Sequence, residues 1–208
     1  MIPIPKNLLS RLLYVNPVCA LVTKNCEAEN GFNVMTISWI SPVDNHGLFT
    51  MSINKGRHTL MNLLPGTFFS ISPFTEESIG VALLVGGSSG AGILGGKLEA
   101  LGISVSPCGG ASSACDFPAL NGAPAHLFCR VVSLLSPSDD VGGEAVLKGH
   151  TILLCTSETG WVDPSYWREG KLFSPSLGKP RLVGFLGSKK FATIEPVLEG
   201  SVDLAGKK

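Results

Sequence analysis

The chain has 208 residues, a length that suits one domain, since single cores grow to about 250 residues before chains divide. Its 16 basic and 16 acidic residues cancel, and no basic patch typical of a nucleic-acid-binding protein is visible. Charged residues make up only 15% and the mean hydropathy is +0.31, so we expect some apolar surface to lie in a subunit interface.

The sequence predicts neither a secretion signal nor a membrane span. The apolar run after Lys6 and Arg11 breaks at Asn16 and Pro17, before it reaches the length of a signal peptide. The longest uncharged stretch, 79–96, contains seven glycines and would insert poorly into a bilayer. We therefore expect a cytoplasmic protein without membrane contact.

The cysteines give no sign of a metal site or a disulfide framework. They lack the CxxC and Cys/His spacings of common metal ligands. Without a secretion signal, reduced thiols that are mostly buried are expected. The six positions are 19, 26, 108, 115, 129 and 155.

Short segments with strand character dominate the first third of the chain, and those at 33–40 and 48–54 alternate in the way a strand does. They predict strands at 18–24, 33–40, 48–54 and 67–72, with a helical turn at 59–64. Strands of this length and spacing favour an antiparallel barrel or sandwich over alternating βαβ units.

The remaining chain predicts one helical excursion and then a return to strands. A helix is expected at 76–85, a flexible glycine-rich loop at 86–96 and a short helix at 97–101. Strands are expected at 125–135 and 149–158, a turn-rich part at 161–180, and a closing segment at 182–191. The architecture inferred is a small antiparallel barrel spanning 1–195, followed by a loose tail at 196–208.

Motifs of other enzyme classes fail in their context. Residues 90–95 (GAGILG) match the dinucleotide fingerprint, but no strand runs directly into them and no long helix follows. A P-loop ending at Lys97 would need a hydroxyl where Leu98 stands. A hydrolase is not indicated either, because the Gly-x-Ser-x-Gly elbow is missing from the sequence.

Two neighbouring segments give the clearest sign of a ligand site. Residues 33–39 (NVMTISW) carry amide and hydroxyl groups beside a large aromatic, and residues 54–59 (NKGRHT) place a cation and a hydroxyl in a loop. The first suits a flat ring and the second a phosphate. The structural alternatives are that Trp39 packs in the core and that 57–59 is a solvated loop.

The segment NVMTISW (33–39) followed by SPV (41–43) resembles the signature strand of the flavin reductase-like, FMN-binding split-barrel proteins. The resemblance covers nearly the whole chain in the family's order. It continues through MSINKGRHTLMNL (51–63), FFSISP (68–73), GKL (96–98), GAPAHLFCRV (122–131), LKGHTILL (147–154), TGWVDPSYWREGKLFSP (159–175) and LVGFLGSKKFATI (182–194).

The resemblance implies a mainly β fold, an antiparallel split β-barrel of Greek-key type with short helical excursions. It implies a homodimer with one FMN per subunit in a cleft at the subunit interface. Members either reduce flavin with NADH or NADPH, or carry FMN as an electron-transfer group. The residues that the resemblance places at FMN are Asn33, Val34, Met35, Thr36, Trp39, Asn54, Arg57, Thr59, Lys97, His150 and Phe185.

By the same resemblance, Asn33 and Trp39 flank the isoalloxazine ring, and the backbone of 34–36 runs along it. Arg57 and Thr59 hold the phosphate, and Asn54 ends the strand that lines this site. Lys97 matches a lysine after the helix. His150 and Phe185 are candidates for contact with the partner subunit's flavin. Taken without the resemblance, Lys97 and His150 are ordinary surface or strand-start residues.

Three functions stay open from the sequence. The first is an NAD(P)H-dependent FMN reductase, in which hydride passes from nicotinamide C4 to flavin N5 and no side chain acts as acid or base. A cation such as Lys97 or His150 would stabilise the reduced flavin. The second is an FMN carrier that serves a partner protein. The third is a dimer that has lost the cofactor, because His46-Gly47 replaces two prolines common in the family and the glycine-rich segment 86–96 replaces a more polar stretch.

Overall fold

A computed structural model describes residues 4–25, 31–91, 93, 96–110, 114–135, 149–172, 174–175 and 178–195, and all structural statements concern these residues. The expected tail at 196–208 lies outside them, so the domain boundary at 195 stays a prediction.

The described chain is mainly β, with short helical segments. The 3-10 helices are Lys6–Leu13, His58–Asn62, Glu76–Ser78 and Pro164–Tyr166, and the α-helices are α1 (Ile79–Gly87) and α2 (Lys97–Ala100). The strands are β1 (Asn16–Pro17), β2 (Cys19–Lys24), β3 (Phe32–Ile37), β4 (Ile40–Pro42), β5 (Leu48–Asn54), β6 (Phe68–Pro73), β7 (Val105–Pro107), β8 (Pro118–Leu120), β9 (Ala125–Leu135), β10 (His150–Val162), β11 (Trp167–Arg168), β12 (Lys171–Leu172), β13 (Val183–Gly187) and β14 (Lys190–Thr193).

Seven strands form one antiparallel sheet in the order β3-β2-β6-β9-β10-β5-β4. Its two edge strands, β3 and β4, are consecutive in the chain and are separated only by Ser38 and Trp39. Because two residues span only about 7 Å, the sheet must curl until its edges come together. The predicted antiparallel split barrel with short helices is confirmed.

Strand β2 is buried on both faces because the barrel has a core inside and another outside. Alternate residues point to opposite faces of a strand, so Cys19 and Leu21 face the interior while Val18, Ala20 and Val22 face outward. The inner core is completed by Phe49, Met51, Ile53, Phe69, Ile71, Val131 and Leu153, among others. The outer core joins β2 and β3 to α1, α2, β8 and β13.

A small sheet in the order β1-β13-β14 brings the beginning and the end of the described chain together. Asn16 pairs with Phe185 in this sheet. The β13–β14 hairpin thereby lies beside the 3-10 helix Lys6–Leu13, and this contact supplies one wall of the site below.

Several predicted bounds were wrong. The strand predicted at 33–40 breaks at Ser38 and Trp39, where the chain passes from one sheet edge to the other. The strand predicted at 149–158 continues to Val162, since two bulges let it follow the curl of the sheet against β9. The closing segment at 182–191 is a hairpin of two strands, and α1 extends into the predicted glycine-rich loop as far as Gly87.

In the described part of the chain, no helix combines the length and apolar composition that a membrane span requires.

Candidate functional site

Two adjoining cavities are lined by the ends of β3 and β5 and by the residues that follow these strands. The aromatic cavity, of about 310 Å³, is lined by Arg11, Tyr14, Met35, Thr36, Ile37, Ser38, Trp39, Ser52, Ile53, Asn54, Arg57, His150, Phe185, Gly187 and Ser188. The cationic cavity, of about 220 Å³, is lined by Met35, Thr36, Gly56, Arg57, His58, Thr59, Val85, Gly86, Gly87, Ser88, Ser89, Gly90 and Lys97. Met35, Thr36 and Arg57 belong to both linings, so the two cavities adjoin, and together they are called the cleft.

A pair of stacked rings forms one wall of the aromatic cavity. The rings of Trp39 and His150 lie with their centroids 4.7 Å apart and their planes 30° from parallel. Trp39 is fixed by its backbone, since its carbonyl accepts a hydrogen bond of 3.0 Å from the Ser52 N–H. His150 is the first residue of β10 and pairs in register with Asn54, the last residue of β5.

The facing wall comes from the N-terminal 3-10 helix and the β13–β14 hairpin. The rings of Tyr14 and Phe185 have their centroids 5.7 Å apart. Arg11 donates a hydrogen bond of 2.8 Å to the Ser188 hydroxyl. Gly187 has φ of +98°, and a β-carbon there would lie 3.3 Å from the Tyr14 ring, so glycine allows the hairpin to approach this wall.

The loop after β5 positions the cation shared by the two cavities. The Asn54 side-chain oxygen accepts from the Gly56 N–H at 2.9 Å, and the Arg57 N–H donates to the Asn54 carbonyl at 2.9 Å. This tight turn places Arg57 at the junction and Thr59, which is buried, inside the cationic cavity. The Arg57 guanidinium donates a long hydrogen bond of 3.4 Å to the Gly86 carbonyl.

Lys97 is the second cation of the cationic cavity, and it is almost fully buried. Its Nζ donates hydrogen bonds of 2.8 Å to the carbonyls of Val85 and Ser88, at the end of α1. A cation is favourable there because the carbonyls that end a helix carry partial negative charge. Burial first, and the charge of Arg57 second, lower the pKa of Lys97 to about 8.

The glycines around this cavity allow its walls to lie close to β3. A β-carbon at Gly90 would lie 2.5 Å from Asn33 Nδ2, and one at Gly96 would lie 2.1 Å from the Phe32 carbonyl oxygen. Gly96 also has φ of +100°, which side-chain-bearing residues rarely adopt. These glycines therefore have a packing role, and no dinucleotide-type βαβ unit surrounds the described ones.

The structure brings together nine of the eleven residues predicted for the site. Met35, Thr36, Trp39, Asn54, Arg57, His150 and Phe185 line the aromatic cavity, and Thr59 and Lys97 line the cationic cavity. Asn33 and Val34 line neither one. Asn33 is buried against Gly90, and its Oδ1 accepts from the Val34 N–H at 3.0 Å. The Val34 side chain packs in the outer core.

Other lining residues were not predicted from the sequence. Ser88 and Ser89 stand in the glycine-rich segment, which was expected to be only a flexible loop. Arg11, Tyr14 and Ser188 reach the site through the pairing of β1 with β13. That pairing joins residues about 170 positions apart, and neither segment carries a sequence motif that predicts the pairing.

The cleft combines a slot for a flat ring with a site for an anion. The described lining of the cationic cavity offers two cations, hydroxyls and glycine backbone, and it includes no carboxylate. This donor set suits a phosphate. Among the described residues, no group of His, Cys, Asp and Glu side chains is placed to hold a metal ion.

Comparison with known protein families agrees with this geometry. The model described as "Flavin reductase like domain" matches residues 10–174, which is most of the chain and contains both strands that meet at the cleft. The chain belongs to the flavin reductase-like domain family. No functionally curated protein sequence matches this family member at a significant level.

Solved structures share the fold of this flavin reductase-like chain. The flavoredoxin of Methanosarcina acetivorans aligns with a TM-score of 0.70 at 17% identity, over 99% of this chain and 97% of that one. An FMN-binding protein from Thermus thermophilus aligns with a TM-score of 0.69 at 14% identity, over 97% of each chain. The NADH:FAD oxidoreductase SgcE6 of Streptomyces globisporus aligns with a TM-score of 0.62 at 19% identity, over 95% of this chain and 99% of that one.

Proposed function

We propose that the protein binds FMN and acts as a flavin oxidoreductase that takes electrons from NADH or NADPH. The observation that carries this proposal is the cleft, in which a cavity walled by Trp39, His150 and Phe185 adjoins a cavity lined by Arg57 and Lys97. FMN has a flat ring system at one end and a phosphate at the other, joined by a short chain. The aromatic cavity suits the ring system, the cationic cavity suits the phosphate, and the two cavities adjoin as the two ends of FMN require.

The roles of the residues follow from their places in the cleft. Arg57, Lys97 and the Thr59 hydroxyl are the groups that would hold the phosphate, supported by glycine N–H groups of the segment after α1. Trp39 and Phe185 supply the apolar surface for the ring. Lys97 lies in the cationic cavity and its Nζ points to the end of α1, so we assign it to the phosphate and not to the ring.

When bound, FMN supplies the redox chemistry by accepting a hydride at N5 from nicotinamide C4. The chain's own task is to hold the ring in the slot beside the stacked pair of Trp39 and His150, so that a second ring can approach it in a fixed orientation. His150 contributes an imidazole beside this slot, where it could stabilise negative charge on the ring. The name of the similar NADH:FAD oxidoreductase supports a nicotinamide donor.

We also propose that the protein is a homodimer whose interface covers the aromatic cavity. Support comes from apolar side chains that remain exposed beside this cavity: Leu12, Leu13 and Val15 flank Tyr14, and Leu186 follows Phe185. Several exposed apolar side chains in two neighbouring segments suit an interaction surface. The cytoplasmic location stays a prediction.

The test is to load the protein with FMN and to follow its visible absorbance under anaerobic conditions. Addition of NADH or NADPH should bleach the flavin band at a rate that increases with nucleotide concentration.

Arg57→Ala should weaken FMN binding by about 1–3 kcal/mol, the range for a charge-assisted hydrogen bond. Lys55→Ala is the control, since Lys55 is an exposed cation in the same loop and lines neither cavity. Equal FMN affinity of the two variants would mean that the phosphate does not bind in the cationic cavity.

The second candidate is an FMN carrier that exchanges electrons with a partner protein. It is favoured by the similarity to a flavoredoxin, whose name describes electron transfer and no nucleotide substrate. A carrier would retain FMN and lose affinity in Arg57→Ala, yet its flavin band would not bleach with either nucleotide. A chain that binds no FMN at all would instead correspond to a dimer that has lost the cofactor.

A further inference from the structure

A third cavity, the distal cavity, opens at the other end of the barrel and has a volume of about 550 Å³. It lies beside the ends of β5 and β10 that are farthest from the cofactor cleft: Leu48 and Ser157 line it, whereas Asn54 and His150 line the aromatic cavity. Strand β5 has seven residues, so the two openings are about 20 Å apart. No residue in the described lining is shared with the cofactor cleft.

The distal cavity reaches into the inner core of the barrel. Its floor is made by Cys19, Phe49 and Ile71, three buried members of that core. Its rim carries Trp161 and Trp167, with Trp167 about half exposed on the short β11–β12 hairpin. Barrel mouths and volumes between about 300 and 1,000 Å³ are typical of small-molecule sites.

The lining is apolar almost throughout. The carboxylate of Asp44 belongs to this lining and is already hydrogen-bonded within its own turn. Its Oδ1 accepts from the N–H groups of His46 and Leu48 at 2.8 and 3.0 Å. Burial raises the pKa of the Cys19 thiol to about 12, so this side chain is an uncharged part of the floor at neutral pH. The described lining contains no cation that could pair with an acidic ligand.

The hydrogen bonding of the surrounding backbone favours a small molecule over a peptide segment as the occupant. Strand β10 is hydrogen-bonded to β5 on one side and to β9 on the other, and the Ser157 N–H donates to the Gly47 carbonyl at 2.9 Å. Apart from the short edge strand β4, which pairs only with β5, the surrounding strands would offer few partners for the N–H and C=O groups of an entering peptide segment. A compact molecule with few polar atoms meets no such cost.

We propose that the distal cavity is a second ligand site, separate from the cofactor cleft, that takes an uncharged aromatic compound of fused-ring size. The carrying observation is a deep apolar mouth with two tryptophans on its rim and core residues as its floor. Aromatic walls favour offset or edge-to-face contact with a flat ligand. The proposal does not depend on FMN binding.

The test uses 2-naphthol, which is uncharged at neutral pH, and isothermal titration calorimetry on the full chain with FMN in excess. We expect saturable binding of one molecule per chain. Leu127→Lys should raise the Kd about tenfold or more, because it places an ammonium group in an apolar lining. Val132→Lys is the matched control: it lies on the same strand and is 39% exposed, against 38% for Leu127, but does not line the cavity. Its Kd should stay within about twofold of the wild type, as for an uninvolved surface position.

Four results would overturn the proposal. One is the absence of saturable heat, and another is an equal loss of binding in both lysine variants. The third is a Kd that rises with protein concentration as the chain associates, because a second copy would then fill the mouth. Binding that is abolished by Arg57→Ala but not by Leu127→Lys would place 2-naphthol in the cofactor cleft and would likewise contradict the proposal.

Discussion

At the scale of single residues, the cationic cavity depends on two charges that are held close without a carboxylate between them. Arg57 is exposed and its position is set by a tight turn, whereas Lys97 is buried and bonded to two carbonyls at the end of α1. Because burial and the Arg57 charge both disfavour the ammonium form, Lys97 is more easily deprotonated than a surface lysine. An anion bound between the two side chains would reverse this effect.

We therefore expect the affinity for FMN to fall as the pH rises above about 8, the value to which the pKa of Lys97 is lowered. The phosphate of FMN is a dianion throughout this range, since its second pKa is about 6. The folded protein binds fewer protons at Lys97 than the unfolded chain between pH 8 and 10.5, so without ligand this residue makes stability increase with pH. Phosphate binding should therefore be accompanied by proton uptake above pH 8.

The measurement is a fluorescence titration of FMN between pH 7 and 10. Lys97→Arg should flatten the pH profile, because a guanidinium stays charged in this range. Riboflavin, which lacks the phosphate, is the control ligand and should show no such dependence on Lys97. A profile that is identical for FMN and riboflavin would mean that the phosphate does not reach Lys97.

At the scale of elements, two described glycines between α1 and α2, Gly90 and Gly96, lie close against β3. Gly96 is the tightest point, because a β-carbon there would overlap the Phe32 backbone and φ is +100°. This contact fixes the position of Gly96 and thereby that of Lys97, which follows it and is the first residue of α2. The close approach of two backbones thus determines where the anion site forms.

Gly96→Ala is expected to lower the free energy of unfolding by about 2–4 kcal/mol, from positive-φ strain and a backbone overlap that side-chain movement cannot relieve. It should also weaken FMN binding, because Lys97 follows directly. Gly80→Ala is the control, since a β-carbon at this position in α1 meets nothing within 4 Å and alanine favours the helix by up to about 1 kcal/mol. Urea unfolding of the two variants measures the difference, and equal stability would contradict the proposed role of Gly96.

How far the sequence predicts these elements depends on how local their causes are. Strand β5 follows from its alternating polarity, because one of its faces meets the inner core, whereas β2 and β6 have strand-forming residues and are buried on both faces. The break at Ser38 and Trp39 does not, since it is caused by the curl of the whole sheet. The pairing of β1 with β13 was missed for the same reason, because it is long-range and β1 has only two residues, although β13 lies within the predicted closing segment 182–191.

The residues of the site also divide into those with a local cause, which the sequence predicts, and those with a long-range cause, which it does not. Arg57 and Thr59 were predicted because a turn and its charged and hydroxyl side chains are local features of the sequence. The resemblance to a known family added Lys97, His150 and Phe185, which local patterns alone left as ordinary residues. Arg11 and Tyr14 were missed, because their place in the cleft depends on the docking of two distant segments. Asn33 was assigned to the ring, yet its side chain is buried against Gly90.

At the scale of the whole molecule, the exposed apolar residues beside the aromatic cavity lead to a prediction on assembly. Leu13 is 81% exposed, next to Tyr14 in the wall of that cavity. If the subunits pair over the cleft, Leu13→Glu should shift the chain toward the monomer and weaken FMN binding together, since a charge would be buried in the interface.

Size-exclusion chromatography with light scattering measures the assembly, with FMN titrated on the same samples. Met61→Glu is the matched control, because Met61 is an apolar residue that is 51% exposed and lines neither cavity of the cleft. A monomeric wild type, or a Leu13→Glu variant that remains dimeric with unchanged affinity, would contradict pairing over the cleft.

The connection of β3 to β4 has a consequence for how the protein tolerates changes in length. Ser38 and Trp39 bring the two edges of the sheet together, and the second of them also supplies a ring of the aromatic wall. One added or deleted residue here would turn the side chains of β4 to the opposite face and carry the indole away from His150. The turn at 43–47 borders the distal cavity and can change length without moving that indole. Loop grafts should therefore be made in that turn, whereas the dipeptide has to keep its number of residues.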